Sequence, residues 1–176
     1  SRFVHFAILL LLIAIVGAGC AKQSPAPGSE STGRTSPPTT LPAGAGRTMR
    51  VDYYHTGNNK QELFSLDEVS LEPAPWPGRV GHPADTMNFG AYGFDVRDRA
   101  TSTLLYAEGF GSIFDEWSTT DEATKMTRTF SESVRFPAPG APATLTIRKR
   151  GAANRWRDVW STTIEPTDMF VNTAAP

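Results

Sequence analysis

Residues 47–171 predict an all-β domain, an antiparallel β-sandwich of about seven strands. Three observations point there. Apolar side chains recur at every second position in short runs, the period of a half-buried strand. The runs are separated by stretches rich in Gly, Pro, Asn and Asp, which turn the chain. No long amphipathic helix interrupts them, and no period of about 20–50 residues repeats. Short strands at this spacing pack as two antiparallel layers.

The first strand begins after Thr48, where Met49, Val51 and Tyr53 alternate with Arg50, Asp52 and Tyr54. Residues 56–60 (TGNNK) tolerate positive φ and form a turn. Leu63 to Leu71 is the second strand. Its apolar phase is Phe64 and Leu66, then Val69 and Leu71, so a β-bulge near Asp67 and Glu68 is required to keep one face inward. Pro73, Pro75, Pro77 and Pro83, with Gly78 and Gly81, make 72–88 a long surface loop anchored by Trp76. Tyr92, Phe94 and Val96 resume the alternation, Asp98 to Ser102 turns, and Thr103 to Phe110 returns, making 90–110 a hairpin.

Thr119 to Glu122 offers a cap residue with a glutamate three positions on, which predicts one helical turn over 120–125. Met126, Phe130, Val134 and Phe136 share a face of the next strand. Arg128 and Glu132 fall on that same face and are expected to pair or to reach its edge. Leu145 and Ile147 mark a strand at 143–150, residues 151–154 a tight turn, and Trp156, Trp160, Thr162 and Ile164 the last strand.

Upstream the composition changes twice. Phe3 to Val16 is an apolar run broken only by His5, preceded by Arg2 and followed by Gly17-Ala18-Gly19-Cys20. A basic start, an apolar core of about 7–15 residues and small residues describe a secretory signal rather than a membrane span of about 20 residues. Cys20 after those residues resembles the lipobox of bacterial lipoproteins, although Gly17 stands where leucine is usual. The resemblance implies export, lipidation of Cys20 and a membrane anchor in the bacterial cell envelope, with Ala21 favouring the outer membrane or cell surface. Alternatively the segment is an ordinary signal or anchor with an incidental cysteine. Residues 21–46 hold 21 Ala, Gly, Pro, Ser or Thr in 26 positions. Too few apolar side chains remain to offset ordering entropy, so this tract reads as a disordered tether. Residues 172–176 read as the start of an interdomain linker or a tail.

The whole chain has 176 residues, with 17 basic and 18 acidic side chains, a net charge of −1 and one cysteine. That balance leaves no footprint for nucleic acid, and a single cysteine closes no internal disulfide. The 130 residues after the linker are enough for one core that buries about two-thirds of the unfolded surface.

Little catalytic chemistry is visible. The three histidines are His5, His55 and His82. There is no HExxH helix, no His/Cys metal spacing, no calcium-loop spacing, no GxSxG elbow and no glycine-rich phosphate loop. His55 reads as a strand-end or turn histidine, since Asp52 points to the opposite face. His82 and Asp85 form a weak candidate pair in the proline-rich loop. Asp115, Glu116, Asp121 and Glu122 cluster without calcium-ligand spacing. The strongest candidate is a basic, aromatic hairpin: Arg148, Lys149, Arg150, Arg155, Trp156 and Arg157, with Trp160 beside them. It is either a binding surface for an anionic glycan, lipid headgroups or an acidic domain, or a solvated face over two core tryptophans.

The segments MRVDYYHTGN (49–58), FSLDEVSLEPAPWPG (64–78), YAEGFGSIFDEW (106–117), TTDEATKMTRTFSESVRFPAP (119–139) and RWRDVWSTTIEPTDMFV (155–171) occur in one order. Together they resemble the N-terminal domain of the IgA-peptidase-type zinc metallopeptidases, peptidase family M64. The resemblance implies a β-sandwich that precedes a C-terminal catalytic domain, the chain's partner in the parent protein. That domain would carry the zinc and the HExxH helix. None of those residues occurs here, so the resemblance assigns no catalytic, metal or cofactor role to this chain. It implies a non-catalytic accessory domain and a fragment of a longer enzyme. A stand-alone surface lipoprotein binding glycan or protein through the hairpin is the alternative.

Overall fold

A computed structural model of the chain describes residues 46–78 and 84–173, all within one compact unit. Cys20, the signal segment, the linker up to residue 45, His82 and residues 174–176 lie outside the described residues. Among the described residues seven strands form: β1 (Arg47–Gly57), β2 (Glu62–Pro75), β3 (Tyr92–Asp98), β4 (Leu104–Phe110), β5 (Arg128–Pro137), β6 (Ala143–Arg150) and β7 (Trp156–Ile164). They make a three-stranded sheet in the order β2-β1-β5 and a four-stranded sheet in the order β4-β3-β6-β7. All pairings are antiparallel.

Alternation places the inner faces against each other. Met49, Val51 and Tyr53 of β1 and Val134 and Phe136 of β5 meet Tyr92, Phe94 and Val96 of β3 and Leu145 and Ile147 of β6 in one apolar cluster. Each such buried side chain contributes about 1.5–3 kcal/mol relative to exposure. Rings bridge the layers: Phe94 lies 6.1 Å from Phe136, and Tyr53 lies 5.7 Å from Trp160.

Two register slips decide which side chains enter this core. In β2, Glu68 pairs with Asp52 and Leu66 with Tyr53, so Asp67 is the extra residue of a bulge at the expected place. In β7, Asp158 pairs with Arg148 and Trp160 with Ile147, so Val159 is extra. That second bulge flips the phase. Trp160 faces the core, whereas Trp156, opposite Arg150, faces outward.

Three elements differ from the sequence expectation. β2 runs on to Pro75, into the stretch expected to be loop. Among the described strands β1 alone pairs with it, and an edge strand tolerates prolines where their missing N–H groups face the outer side. A short helix, α1 (Ile113–Ser118), precedes the expected turn, which narrows to a single 3-10 turn at Glu122–Thr124. Ser112 caps α1 by accepting from the Asp115 N–H at 3.3 Å. Met126 falls outside β5 and is largely exposed. Trp76 anchors its loop as expected, packing edge-on to Tyr106 with ring centroids 5.4 Å apart.

Beyond Ile164 the chain stays on the sandwich. Asn172 forms a parallel bridge to Ser70 on the free edge of β2.

Candidate functional site

At one end of the sandwich the inward face changes from apolar to ionised. His55, two residues before the end of β1, is 0% exposed. Of the two expectations, a strand-end or a turn histidine, His55 is the strand-end one, and the alternation that buries Met49, Val51 and Tyr53 carries it inward too. Its ring lies between Phe114 of α1 and Phe64 of β2, with centroids 3.8 and 4.1 Å away. Gly57 leaves room for this packing, since a Cβ there would strike the Gln61 carbonyl and the Phe114 ring.

Both imidazole nitrogens face carboxylates. Nδ1 lies 3.3 Å from Glu132 of β5, and Nε2 lies 3.3 Å from Glu62 of β2. Each carboxylate has further donors. Glu132 accepts from the Tyr53 hydroxyl at 3.0 Å and the Ser112 hydroxyl at 2.6 Å. Glu62 accepts from the Tyr92 hydroxyl at 2.5 Å and from Lys149 Nζ at 3.1 Å, with an Arg157 nitrogen 3.7 Å away. Glu132 therefore neither pairs with Arg128 nor reaches an edge. Arg128 instead joins Glu122 at 2.7 Å.

The electrostatics follow from this inventory. Burial opposes charge on His55, but the hydrogen bonds and charges of Glu132 and Glu62 outweigh it and raise its pKa. Burial also pushes the Glu62 carboxyl up, yet donors from His55, Tyr92 and Lys149 hold it at about 2. Glu132 is lowered on the same grounds, with His55 and Ser112 as its main donors. Burial, then a neighbouring glutamate, raises Tyr53 and Tyr92 far above an ordinary phenol. Carboxylates face both ring nitrogens, an arrangement that favours the charged imidazolium over the neutral ring, and two phenyl rings seal it.

Glu62 also borders a shallow polar pocket of about 190 Å³, with Lys60, Lys149 and Arg157 among its lining residues. His55 does not line it.

The six hairpin residues do not form one surface. Lys149 and Arg157 pair across β6 and β7 and point to the inward side, toward Glu62. Arg148, Arg150 and Trp156 lie on the outer side. The Arg150 guanidinium sits 4.1 Å and that of Arg148 5.6 Å from the Trp156 ring centroid. Arg150 also donates to the carbonyls of Gly90 at 2.8 Å and Asn88 at 2.7 Å, and Trp156 Nε1 donates to the Asn88 side chain at 3.1 Å. This half of the cluster fastens the loop before β3 to the sheet. Arg155 is exposed at the turn.

Two of the remaining candidates, Asp85 and Glu122, have structural partners. Asp85 accepts from the N–H groups of Met87, Asn88 and Gly109. Glu122 takes Trp117 Nε1 and Arg128, both at 2.7 Å. Among the described residues no three His, Cys, Asp or Glu side chains converge as a metal-binding group. Both His55 nitrogens are engaged by carboxylates, so the donors at this site do not fit zinc.

Sequence reasoning missed the His55 network. One signal for it was present: Glu132 falls on the apolar face of its strand, and a charged residue there needs a buried partner.

Fold and site together define a β-sandwich domain whose ionised cluster is internal. The sequence matches the family model described as Peptidase M64 N-terminus over residues 43–161, and the chain belongs to that family. The match begins just before β1 and ends within β7. A search of curated proteins finds no match.

Proposed function

We propose that this chain is the non-catalytic N-terminal accessory domain of an exported, lipid-anchored zinc metallopeptidase. The observation that carries the reading is the family match, which covers nearly the whole sandwich. Two features support it. The one histidine among the described residues is sealed between aromatic rings, with both nitrogens bonded to carboxylates. The sequence has no HExxH helix to hold zinc and activate water. In this reading the sandwich positions or shields a C-terminal catalytic domain, and Cys20 with the 21–46 tether holds both at a membrane of the cell envelope.

The test starts at the gene. An HExxH-containing domain is expected in frame after Pro176, and an immediate stop codon sinks the reading. The purified domain is expected to cleave no peptide with zinc supplied, while the complete product does. For the anchor, palmitate labelling is expected in the wild type and lost in Cys20→Ser; an unlabelled wild type removes the lipid anchor from the account.

A further inference from the structure

The two most exposed large apolar side chains among the described residues are adjacent. Met169 is 87% and Phe170 83% exposed. They are held in place by an ordered turn. The Asp168 N–H donates to the Glu165 carbonyl at 3.0 Å, the Val171 N–H to the Asp168 carbonyl at 3.1 Å, and the Phe170 N–H to the Asp168 carboxylate at 3.0 Å. The next residue is clamped to the edge of β2. The Asn172 N–H donates to the Val69 carbonyl and its carbonyl accepts from the Leu71 N–H, both at 2.9 Å, while its side chain donates to Glu68 at 2.7 Å. Ordering two large apolar groups in water is unfavourable unless a partner covers them.

Beside them lies a groove of about 340 Å³ between β2 and β7, with Leu66, Val69, Phe170 and Val171 among its apolar residues. Leu66 is 43% exposed. The rim is acidic. Asp67, Glu68, Glu165 and Asp168 all line the groove, and among the described residues no lysine or arginine does; Arg99 pairs with Glu165 at 2.8 Å. An apolar centre inside a carboxylate rim matches an apolar patch framed by basic side chains. It disfavours an anionic bilayer.

We propose that this face, centred on Met169, Phe170 and the groove beside Leu66, is the docking surface for the C-terminal peptidase domain, which presents a complementary apolar patch with a basic frame. The proposal rests on the function proposed above. Val171 lines the groove, and Asn172, clamped to the edge of β2, follows it directly. A domain joined there is held at high effective concentration, so a modest contact suffices to keep it docked.

The test uses amide exchange on the complete gene product and on the 176-residue chain. In the complete protein, residues 66–69 and 168–172 are expected to exchange at least tenfold more slowly than in the 176-residue chain. Met169→Asp with Phe170→Asp is expected to abolish that difference, and Phe89→Asp, at another exposed apolar site, to leave it intact. Asp67→Lys with Asp168→Lys is expected to reduce it. Equal exchange in the two wild-type chains overturns the docking face. So does concentration-dependent self-association of the 176-residue chain that Phe170→Asp removes, which would make a second copy the occupant. A reading frame with no peptidase behind this domain overturns the proposed function along with it. A peptidase present but with unprotected residues 66–69 and 168–172 overturns the docking face alone.

Discussion

Lys149 and Arg150 are sequence neighbours with opposite fates. Lys149 points to the inner side and completes the Glu62–His55–Glu132 network. Arg150 points out, lies over Trp156 and ties the Asn88–Gly90 backbone to the sheet. A run of like charges on a strand is therefore two half-runs in different dielectric surroundings. Inside, removing one charge leaves others buried and uncompensated, which is strongly destabilising. Outside, water replaces what is lost, and the effect is smaller.

The largest effect is expected inside. His55→Ala removes the cation between two carboxylates and the stacked ring between Phe64 and Phe114. Urea unfolding is expected to show a loss of about 3–5 kcal/mol. A loss under about 1 kcal/mol would mean that the network does not hold this end together.

Next comes Lys149→Met, which keeps the stem and removes one donor to Glu62. A loss of about 1.5–3 kcal/mol is expected, the range for a hydrogen bond to a charged group. Arg157→Ala, at the same carboxylate but 3.7 Å away and mostly exposed, is expected to change stability by less than about 0.5 kcal/mol. Equal effects for the two would erase the distinction between the shielded and the exposed cation at Glu62.

On the outer face, Trp156→Ala is expected to lose about 1–2 kcal/mol, from the cation–π contact and the bond to Asn88. Amide exchange at residues 86–90 is expected to rise with it. Unchanged exchange there would show that the loop does not depend on this contact.

The pH dependence sharpens the contrast. His55 has a raised folded pKa, so its contribution is fully present below about 6.5 and fades as pH climbs through the folded value. Glu62 and Glu132 have lowered folded pKa values, so theirs is present above about 4.5 and fades as pH falls, toward about 2 for Glu62. Tyr53 and Tyr92 add a loss only above about 10. Stability against urea is expected to peak between about pH 4.5 and 6.5. His55→Phe is expected to remove the decline just above that window, while Arg150→Ala leaves it in place.

Period two made the strands legible, because alternation is a local property of the chain. The slip between Leu66 and Val69 even located the Asp67 bulge. Near Val159 the same logic failed, since Trp156 and Trp160 keep an even spacing that hides the extra residue. The α1 cap went unread, although Ser112 with an acidic residue three positions on carries the same local signal as Thr119 with Glu122. The His55 site was not locally readable, because its partners stand on β2, β5 and α1, brought together only by sheet pairing. A charged residue on an apolar face says that a partner is needed, and tertiary structure says which one.

The most direct test is a nitrogen-15 titration of the His55 ring by NMR. The account predicts N–H protons on both ring nitrogens at neutral pH and a midpoint above 6.5, with the signals moved by Glu62→Gln or Glu132→Gln. A neutral ring with one protonated nitrogen and a midpoint below 6.5 would contradict it.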